Sequence, residues 1–430
     1  MNKHFSIPKE VTHVTEKLET AGFEAFLVGG CVRDLILDKE PKDWDVTTNA
    51  TPDQIISLFS KTFYENDFGT VGVVDEETKN EALKVVEVTP YRLESTYSDN
   101  RHPDKVTFSQ KIGDDLQRRD FTMNALAYSV SKKEMIDLYS GRKDIENKII
   151  RTVGEADKRF SEDGLRILRA IRFTAELGFS IDPDTEKSAL ENGHLLKNIS
   201  MERIRDEFTK IIMSDRPMDG LLTMKKLGLL KFVVPELEDA VGVEQNKAHA
   251  FDVWEHLLRS VQHGADKKYP LDVRLTALLH DISKPESRRW GKEQNQWTFY
   301  GHEVIGARVT KKILERLRYP TKLIEKVVTM VRWHMFFSDT EQISLSAVRR
   351  MIVNVGRTNI WDLMNVRICD RIGTGRPKED PYRLRKYHAM IEEAMRDPIS
   401  VGMLKINGKK IMEVTETQSD RKSTRLNSSH

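Results

Sequence analysis

Cysteine is almost absent from this sequence, and its scarcity argues against one common way of stabilising a fold. Cys31 and Cys369 are the only two cysteines among 430 residues, and they do not form a C-x-x-C pair. We therefore expect no disulfide framework and predict that both thiols are buried as small apolar groups. Long apolar runs are absent too, since no stretch reaches the roughly 18 residues that a membrane-spanning helix needs.

A signal peptide and a strong net charge are likewise not apparent. The N-terminal stretch MNKHFSIPKEVTHVTEKL lacks the apolar core of a signal peptide. The 69 basic residues almost balance the 67 acidic ones, which leaves a net charge of +2. So small a charge neither indicates nor excludes a nucleic-acid partner, and local clusters have to decide. These absences predict a cytoplasmic protein without a membrane partner. The length of 430 residues is enough for two to four domains.

Two different patterns divide the chain near residue 150. Before it, short apolar segments typical of strands alternate with helical periods, whereas the pattern beyond about residue 155 is helical. The segments expected in the first part are strands at 25–30, 44–48, 69–74 and 83–92, and helices at 9–21, 31–37 and 51–59, the last with Thr51 as N-cap. The sequence thus predicts an α+β part with a small mixed sheet at 1–150, followed by all-α parts at 151–240 and 241–400. The remaining 401–430 is expected to be a truncated tail, because RKSTRLNSSH at 421–430 is aperiodic and looks non-native.

Two aspartates one residue apart, Asp43 and Asp45, follow the second predicted helix. Residues i and i+2 of a strand point to the same face, so both carboxylates would stand side by side with Trp44 turned into the sheet. Like charges this close need a counter-charge, and Mg²⁺ prefers oxygen ligands. A lone D-x-D otherwise indicates a turn or a solvated strand end. Glu87, on another predicted strand, is either a third catalytic carboxylate or an alternating surface residue.

A glycine pair, Gly29 and Gly30, lies between the first predicted strand and the next helix. Such a turn lets backbone N–H groups approach a phosphate closely, and Arg33 can add a charged donor. Alone, a glycine pair indicates a simple strand–helix turn. Combined with a metal-binding aspartate pair on the next strand, it favours nucleotidyl transfer over hydride transfer or the chemistry of P-loops.

The stretch LVGGCVRDLILDKEPKDWDVTTNATPDQI resembles the signature of class II tRNA nucleotidyltransferases, the CCA-adding enzymes and bacterial poly(A) polymerases of the polymerase-β superfamily. Four further stretches match in order: QRRDFTMNALAY, DLYSGRKDIENKIIRTVG, EDGLRILRAIRFTAELGF and MERIRDEFTKII. The resemblance covers about the first half of the chain. It implies a catalytic head followed by a helical neck, body and tail, with tRNA, CTP and ATP as partners and Mg²⁺ bound in the head.

The resemblance also implies roles for residues beyond the first motif. Asp163 and Arg166 would contact the Watson–Crick edge of the incoming base, although the same spacing on an arbitrary helix indicates a surface ion pair. Arg119, Asp120 and Asn124 would lie around the ribose and triphosphate; the alternative is a capped amphipathic helix with Phe121, Met123 and Leu126 in the core. Two further basic side chains would contact the nucleotide, Arg169 and Arg172. Three more would contact tRNA unless they form ion pairs: Arg203, Arg205 and Lys210. The loop at 95–106 matches a segment that acts as a lever in the family, with Arg101, His102 and Asp104 as its candidates.

Histidines become common in the second half, and their order forms a second constellation. Its six positions in helical context are His256, His280, Asp281, His302, His334 and Asp370. A lone histidine on a helix is usually structural, but this order resembles the HD superfamily of metal-dependent phosphohydrolases. Mixed His and Asp ligands suit Mn²⁺, Fe²⁺, Ni²⁺ or Mg²⁺, and the adjacent His–Asp pair can bind one ion or bridge two. Lys284 could then hold a scissile phosphate.

The expected activity is addition of C, C and A to the 3′ end of tRNA from CTP and ATP, without a template and with release of pyrophosphate. In some members of the family an HD domain removes 2′,3′-cyclic or 3′-terminal phosphates from tRNA, which gives a second expected activity. The alternatives are a poly(A) polymerase, a specialised CC- or A-adding enzyme, and an HD phosphohydrolase whose head only binds RNA. The stretch FGTVGVVDEE lacks the basic, aromatic strand that bacterial poly(A) polymerases typically carry there.

Overall fold

The computed structural model describes residues 5–64, 69–94, 106–246, 249–335, 343–376, 378–379 and 381–396. The predicted lever residues Arg101, His102 and Asp104 lie outside these ranges, as does the predicted tail at 401–430. No helix in the described ranges has both the length and the apolar character needed to cross a membrane.

The head is built on a mixed β-sheet, as predicted. The strands of the first 140 residues are β1 (Ala25–Val28), β2 (Asp45–Thr48), β3 (Thr62–Tyr64), β4 (Val71–Val74), β5 (Val85–Pro90), β6 (Arg92–Glu94), β7 (Val106–Phe108), β8 (Leu126–Ser129) and β9 (Glu134–Asp137). Seven of them form one sheet in the order β3-β4-β5-β2-β1-β8-β9, while β6 and β7 pair separately. The central pair β2–β5 is parallel, and its flanking pairs β1–β2 and β4–β5 are antiparallel.

Five helices accompany the sheet: α1 (Lys9–Thr20), α2 (Gly30–Ile36), α3 (Pro52–Leu58), α4 (Ile112–Gln117) and α5 (Gly141–Glu146). The predicted cap of α3 is confirmed, because the Thr51 hydroxyl accepts a hydrogen bond from the Gln54 N–H, while the Gln54 side chain accepts one from the Thr51 N–H. The alternative of an amphipathic helix around Phe121 is wrong. That segment is a short 3-10 turn leading into β8, whose ladder bonds to β1 and β9 replace helical ones.

Helices then dominate, as predicted, from residue 156 onwards. The neck and body contain α6 (Ala156–Glu162), α7 (Leu165–Leu177), α8 (Pro183–Asn192), α9 (Met201–Met213), α10 (Pro217–Lys226) and α11 (Leu230–Val233), with a parallel pair β10 (Ile149–Ile150) and β11 (Ser180–Ile181). The C-terminal part contains α12 (Val253–Asp266), α13 (Leu271–Leu279), α14 (Lys284–Ser287), α15 (His302–Arg316), α16 (Thr321–Trp333), α17 (Leu345–Val355), α18 (Ile360–Gly373) and α19 (Tyr382–Arg396). A hairpin of β12 (Arg289–Gly291) and β13 (Gln296–Thr298) interrupts these helices.

Helix α7 joins the head to the neck because it contributes to two cores. Ala170 and Phe173 are buried in the head cluster, whereas Ile167 and Ile171 are buried in the helical cluster. Each such side chain contributes about 1.5–3 kcal/mol when fully buried, so the packing fixes the neck against the head. The helical cluster continues from Phe160 to Val331, across the predicted boundary at residue 240. The domain boundaries therefore stay a prediction.

Candidate active site and metal centre

Two central strands of the head sheet, β2 and β5, carry two carboxylates in register. Asp45 opens β2 and pairs directly with Glu87 of the parallel strand β5. Paired residues of neighbouring strands project to the same face with their strands about 4.8 Å apart, so the two side chains are neighbours. Both are partly exposed. Glu87 therefore lies beside the aspartate motif, as a third carboxylate would, and it also lies on the half-exposed face of an alternating strand, so both interpretations stay open.

Asp43 does not lie on the strand. The prediction that both aspartates share a strand face is wrong in this respect, because β2 begins at Asp45 and Asp43 lies in an exposed bend before it. The chain between them is nevertheless anchored. Trp44 is buried, as predicted, and its carbonyl oxygen accepts a hydrogen bond of 3.1 Å from the Glu87 N–H. Asp43 thus lies two positions before Asp45 in the sequence, next to the anchored Trp44.

The glycine turn packs tightly beside these carboxylates. Gly29 has φ of +81°, a conformation that L side chains rarely adopt. A Cβ atom there would lie 2.9 Å from Nη1 of Arg119 and 3.4 Å from Oδ2 of Asp45. Glycine is therefore required both by the backbone angle and by the close approach of Arg119, whose other Nη donates to Asp115 at 3.0 Å. A Cβ on Gly30 would lie in ordinary contact, 3.7 Å from Arg33 Nη2.

Four of the predicted nucleotide-binding residues form one hydrogen-bonded chain across the head and neck. Arg33 donates to the Asn124 side chain at 2.9 Å, Asn124 donates to Asp120 at 3.1 Å, and Arg169 of α7 donates to the other Asp120 oxygen at 2.8 Å. Burial by itself would raise the pKa of Asp120, but the Arg169 guanidinium outweighs it and holds that pKa below its usual range. The network therefore positions Arg33 through an ionised, buried carboxylate.

Asp120→Asn is expected to lower the free energy of unfolding at pH 7 by about 1–3 kcal/mol, because Arg169 loses its ionic partner while about a third of its side chain stays solvated. The folded-state pKa of Asp120 is depressed, so its stabilisation is complete above the ordinary value of 3.8 and is lost as the pH falls below it. Urea denaturation of both proteins at pH 7 and pH 3 measures this. The difference should shrink at pH 3, and an equal difference at both pH values would contradict the assignment.

Asp163 and Arg166 are not neighbours on one helix, which corrects the prediction made from their spacing. Helix α6 ends at Glu162, and Asp163 is extended, with φ of −148°, before α7 begins. The Asp163 carboxylate accepts from the Leu165 N–H at the start of α7 and forms an ion pair of 2.7 Å with Arg203. Arg166 instead pairs with Glu162 at 2.6 Å. The prediction named neither partner: Arg203 is remote in sequence, whereas Glu162 lies four residues before Arg166, a helical spacing that could have revealed it.

The remaining basic candidates are held by acids or carbonyl groups. Arg172 is buried and donates to Glu207 at 3.1 Å, which favours a packing role. Arg205 pairs with Asp206 and donates to the Arg318 carbonyl at 2.7 Å, and so joins α9 to the C-terminal part. Lys210 is 51% exposed and lies 3.6 Å from Glu207. Of these three, Lys210 is the most accessible to a phosphate backbone.

All six predicted residues of the histidine constellation converge in the C-terminal part. Four of them form a first group, in which His256 Nε2 lies 3.1 Å from Asp281 Oδ2 and 3.0 Å from His280 Nε2. Asp370 Oδ1 lies 3.6 Å and 3.7 Å from the same two histidine nitrogens. These four donor atoms lie within 4.8 Å of one another and all four residues are buried. Oxygen and imidazole donors so close together suit a divalent transition-metal ion.

A second group shares Asp281 with the first. Its other carboxylate oxygen, Oδ1, lies 3.1 Å from His302 Nε2 and 3.5 Å from His334 Nε2. The two oxygens of one carboxylate thus face two separate sets of histidines. Burial would raise the pKa of Asp281, but the ammonium group of Lys284, 2.5 Å away, and His280 hold it well below its usual range. The bridging carboxylate is therefore ionised, as a ligand to two metals has to be.

The histidine rings are oriented for metal binding. A carbonyl oxygen only accepts hydrogen bonds, so a ring nitrogen that faces one carries the proton, and the other nitrogen is left as a donor to metal. In three of the four histidines Nδ1 faces the carbonyl of the residue three positions earlier, at 2.6 to 3.0 Å: His280, His302 and His334. Burial lowers the pKa of His334, which favours its neutral form. The donor set fits metal ions at both groups.

Helix α18 approaches α12 through Gly373, a position that sequence reasoning missed. A Cβ atom at Gly373 would lie 2.7 Å from the His256 carbonyl oxygen and 2.9 Å from its Nδ1, and would also collide with Ser260. His256 and Asp370 belong to the first metal group, so their helices must stay this close. A repeated small residue on the facing helix surfaces, Gly264 and Gly373, is the signal that could have revealed this contact.

Gly373→Ala is therefore expected to separate the two helices and to weaken metal binding at the first group by about 10- to 100-fold, the range for disturbed ligand support. The matched control is Gly264→Ala on the same helix pair, where the added Cβ would lie an ordinary 3.4 Å from Arg274 Cγ. Metal titration monitored by calorimetry checks the pair. Equal affinities in Gly373→Ala and wild type would contradict the packing argument.

A cavity of about 760 Å³ opens onto both groups. Asp281, His302, His334 and Asp370 lie in its wall. Five cationic side chains also line it: Lys284, Arg367, Arg371, Arg376 and Arg383. Lys284 is fixed between Asp281 and the Gln245 side chain, which accepts from its ammonium group at 2.6 Å. Such a surplus of positive charge suits an anionic substrate.

Three family models match consecutive parts of the chain. A poly A polymerase head domain matches 25–151, a probable RNA and SrmB-binding site of polymerase A matches 178–241, and an HD domain matches 249–370. The first covers the strands that carry Gly29, Asp45 and Glu87, and the last covers both metal groups.

Curated relatives and solved structures agree with these models. A CCA-adding enzyme of Leuconostoc mesenteroides is 40% identical over 262 residues, which cover 59% of this chain and 63% of that protein. One of Lactobacillus helveticus is 47% identical over 46% of this chain and 48% of that protein. The match thus spans about half to two thirds of these relatives.

A Bacillus stearothermophilus CCA-adding enzyme in complex with CTP matches 97% of this chain and 91% of its own, with a TM-score of 0.71 and 25% identity. A Thermotoga maritima CCA-adding enzyme complexed with tRNA shares the fold at a TM-score of 0.56 and 18% identity. The chain thus combines a poly A polymerase head domain with an HD domain and resembles the CCA-adding enzymes in sequence and fold.

Proposed function

We propose that the chain is a nucleotidyltransferase that adds C, C and A to the 3′ end of tRNA, using CTP and ATP. The observation that carries the proposal is the register pair of Asp45 and Glu87 directly beside the Gly29 turn, which only glycine fits. Carboxylates on neighbouring central strands, next to a glycine turn, can bind a metal ion that contacts both a nucleoside triphosphate and the hydroxyl that attacks it. The choice of CTP and tRNA is supported by the names of the matching structures, a CCA-adding enzyme in complex with CTP and another complexed with tRNA.

The carboxylates of Asp45 and Glu87, with Asp43 beside them, would hold Mg²⁺. When bound, Mg²⁺ supplies charge neutralisation at the α-phosphate and assists the attacking hydroxyl. The chain's own part is orientation: the Gly29 turn lets Arg119 approach Asp45 closely, and Arg33 and Arg119 would offer guanidinium groups to the oxygens of the triphosphate. The 3′-hydroxyl of tRNA attacks the α-phosphorus in line, and pyrophosphate leaves.

Base selection would rest on Asp163 and Arg166, which lie in the break between α6 and α7 and the first turn of α7. Arg offers only donors and Asp only acceptors, so together they match both kinds of group on cytosine or adenine. Each is bonded to another residue in this structure, Asp163 to Arg203 and Arg166 to Glu162. Base recognition by this pair therefore requires that these bonds be exchanged. The cation Lys210 would contact the acceptor stem through its phosphates.

The test is incubation of the protein with tRNA that lacks its 3′-terminal CCA and with labelled CTP, ATP or both. Stepwise addition of two cytidines and one adenosine is the expected product. Addition that stops after two cytidines, addition of A alone, or a long A tail would reject this assignment in favour of a CC-adding enzyme, an A-adding enzyme or a poly(A) polymerase. No addition, with hydrolysis intact, would favour a phosphohydrolase whose head only binds RNA.

We infer a second activity, metal-dependent hydrolysis of phosphate esters at tRNA 3′ ends, from a separate observation. Asp281 bridges two groups of buried histidines at the floor of a cationic cavity. Mn²⁺, Ni²⁺, Fe²⁺ or Mg²⁺ bound there would supply an activated water, while Lys284 would hold the phosphate oxygens. Release of phosphate from tRNA ending in a 3′-phosphate tests it, with the metals added singly to metal-depleted protein. Absence of turnover with all four would reject it. Because both proposed activities act on tRNA, we propose that the protein works in the cytoplasm.

A further inference from the structure

The cavity beside the metal groups has an aromatic wall that the two proposed activities leave unused. Trp297, Phe299 and Tyr300 line the cavity from the segment around β13, and Tyr382 lines it from the start of α19. Phe299 is buried, but Tyr300 and Tyr382 are 80% and 63% exposed. Large aromatic faces open to solvent at the mouth of a cavity mark a binding surface.

The aromatic surface continues outside the cavity along the hairpin. Trp290 of β12 is the register partner of Trp297 of β13, and their ring centroids lie 5.1 Å apart at 82°. Trp290 is 50% exposed. The guanidinium of Arg288 lies 3.7 Å from the Trp297 ring centroid, which holds that indole in place. We call Trp290, Trp297 and Tyr300 the aromatic platform; it leads from the surface to the cavity wall.

The platform is rigidly connected to the second metal group. The carbonyl oxygen of Phe299 accepts a hydrogen bond from the His302 N–H at 3.2 Å and another from His302 Nδ1 at 2.6 Å. His302 Nε2 in turn lies 3.1 Å from Asp281 Oδ1. Tyr300 thus lies in the short segment between Phe299 and His302, two residues before a candidate metal ligand. Tyr300, Asp281 and His302 line the same cavity, so a nucleotide whose base stacks on Tyr300 would carry its phosphate into the cavity that contains the metal groups.

Aromatic faces and cations together point to one class of ligand. Every nucleobase offers a π-face, and proteins that bind single strands combine stacking aromatics with a cationic groove. The five cations of the cavity supply the second part. A duplex end would keep its bases stacked on each other, and a small phosphate ester would leave the aromatic platform without a partner. Trp290 outside and Tyr300 inside suit two successive bases of one strand.

We propose that the aromatic platform binds the last two nucleotides of a single-stranded RNA 3′ end and directs its terminal phosphate to the two metal groups. This rests on the second proposed activity, hydrolysis at the His–Asp groups, but assigns the residues that select its substrate. The inner base lies against Tyr300 and Trp297, and the preceding base against Trp290.

The test uses full-length protein and a 5′-fluorescein hexaadenylate that ends in a 3′-phosphorothioate, with binding followed by fluorescence anisotropy. Tyr300→Ala and Trp290→Ala should each weaken binding by about 5- to 100-fold, the range for loss of one base–aromatic stack. Tyr300→Phe keeps the ring and should bind like wild type. Tyr64→Ala, which removes an aromatic side chain 55% exposed on β3 of the head, is the matched control and should have no effect.

Hexamer binding that both alanine variants leave unchanged would overturn the proposal. It would also be overturned if adenosine 3′-monophosphate bound as tightly as the hexamer and responded to Tyr300→Ala alone, because the occupant would then be a free nucleotide. Metal content and phosphate release are measured on the same proteins. Binding that depends on the platform, in a protein that releases no phosphate, supports the platform and rejects only the hydrolytic activity.

Discussion

Replacing Asp45 by Asn is expected to abolish nucleotide addition to tRNA, with a fall in rate of about a thousandfold or more. The substitution keeps the size of the side chain but removes the charge that, in the proposed site, would hold Mg²⁺ together with Glu87, its register partner. Metal neutralisation of a phosphoryl transition state is worth several kcal/mol, and about 4 kcal/mol corresponds to a factor of a thousand. Incorporation of labelled CTP into tRNA lacking CCA measures the loss.

The matched control for this prediction is Asp53→Asn, the same chemical change at an exposed position of α3 in the same head. It should add nucleotides at the wild-type rate. The metal content of the histidine groups should not change in either variant, because they lie in a separate part of the chain. If Asp45→Asn added CTP as fast as the control, the metal assignment in the head would be wrong.

The head site follows closely from local sequence, because its chemistry depends on strand order and turn shape. Alternating and apolar segments predict β1, β2, β4 and β5 to within a few residues, and the glycine pair predicts the turn after β1. The parallel pairing of β2 with β5 is a tertiary fact that no local pattern contains. That pairing makes Glu87 the register neighbour of Asp45, while its catalytic role stays a prediction.

Base-selection residues show where sequence reasoning fails. A three-residue spacing predicts that Asp163 and Arg166 face each other only if one helix contains both. The structure breaks the helix between them, with the Asp163 carboxylate accepting from the first backbone N–H of α7. Each side chain then takes an oppositely charged partner. Arg166 pairs with Glu162, four residues earlier, at a spacing that competes with the predicted one, whereas Asp163 pairs with Arg203, which local spacing cannot reveal.

The histidine groups lie between these two cases. Residue types and order, through the resemblance to the HD superfamily, predict all six residues that converge in the two groups. The division into two groups, with both oxygens of one aspartate in use, depends on how five helices and their ends converge. Local pattern does not contain that convergence. It also does not contain the glycine contact between α12 and α18 that sets the position of His256.

Replacing Asp281 by Asn is expected to remove metal from both histidine groups at once, since this residue alone belongs to both. An amide has one oxygen and no charge, so it cannot serve as an anionic bridge between two cations. Asp370→Asn changes only the first group and should leave metal at the second. Elemental analysis of the purified proteins measures the metal content, with Asp266→Asn, an exposed change at the end of α12, as control.

Phosphate release from tRNA with a 3′-phosphate should fall below detection in Asp281→Asn, while addition of CTP and ATP should proceed at the wild-type rate. Full metal content in Asp281→Asn would show that the shared carboxylate is not a ligand, and a parallel loss of nucleotide addition would show that the two halves do not act independently.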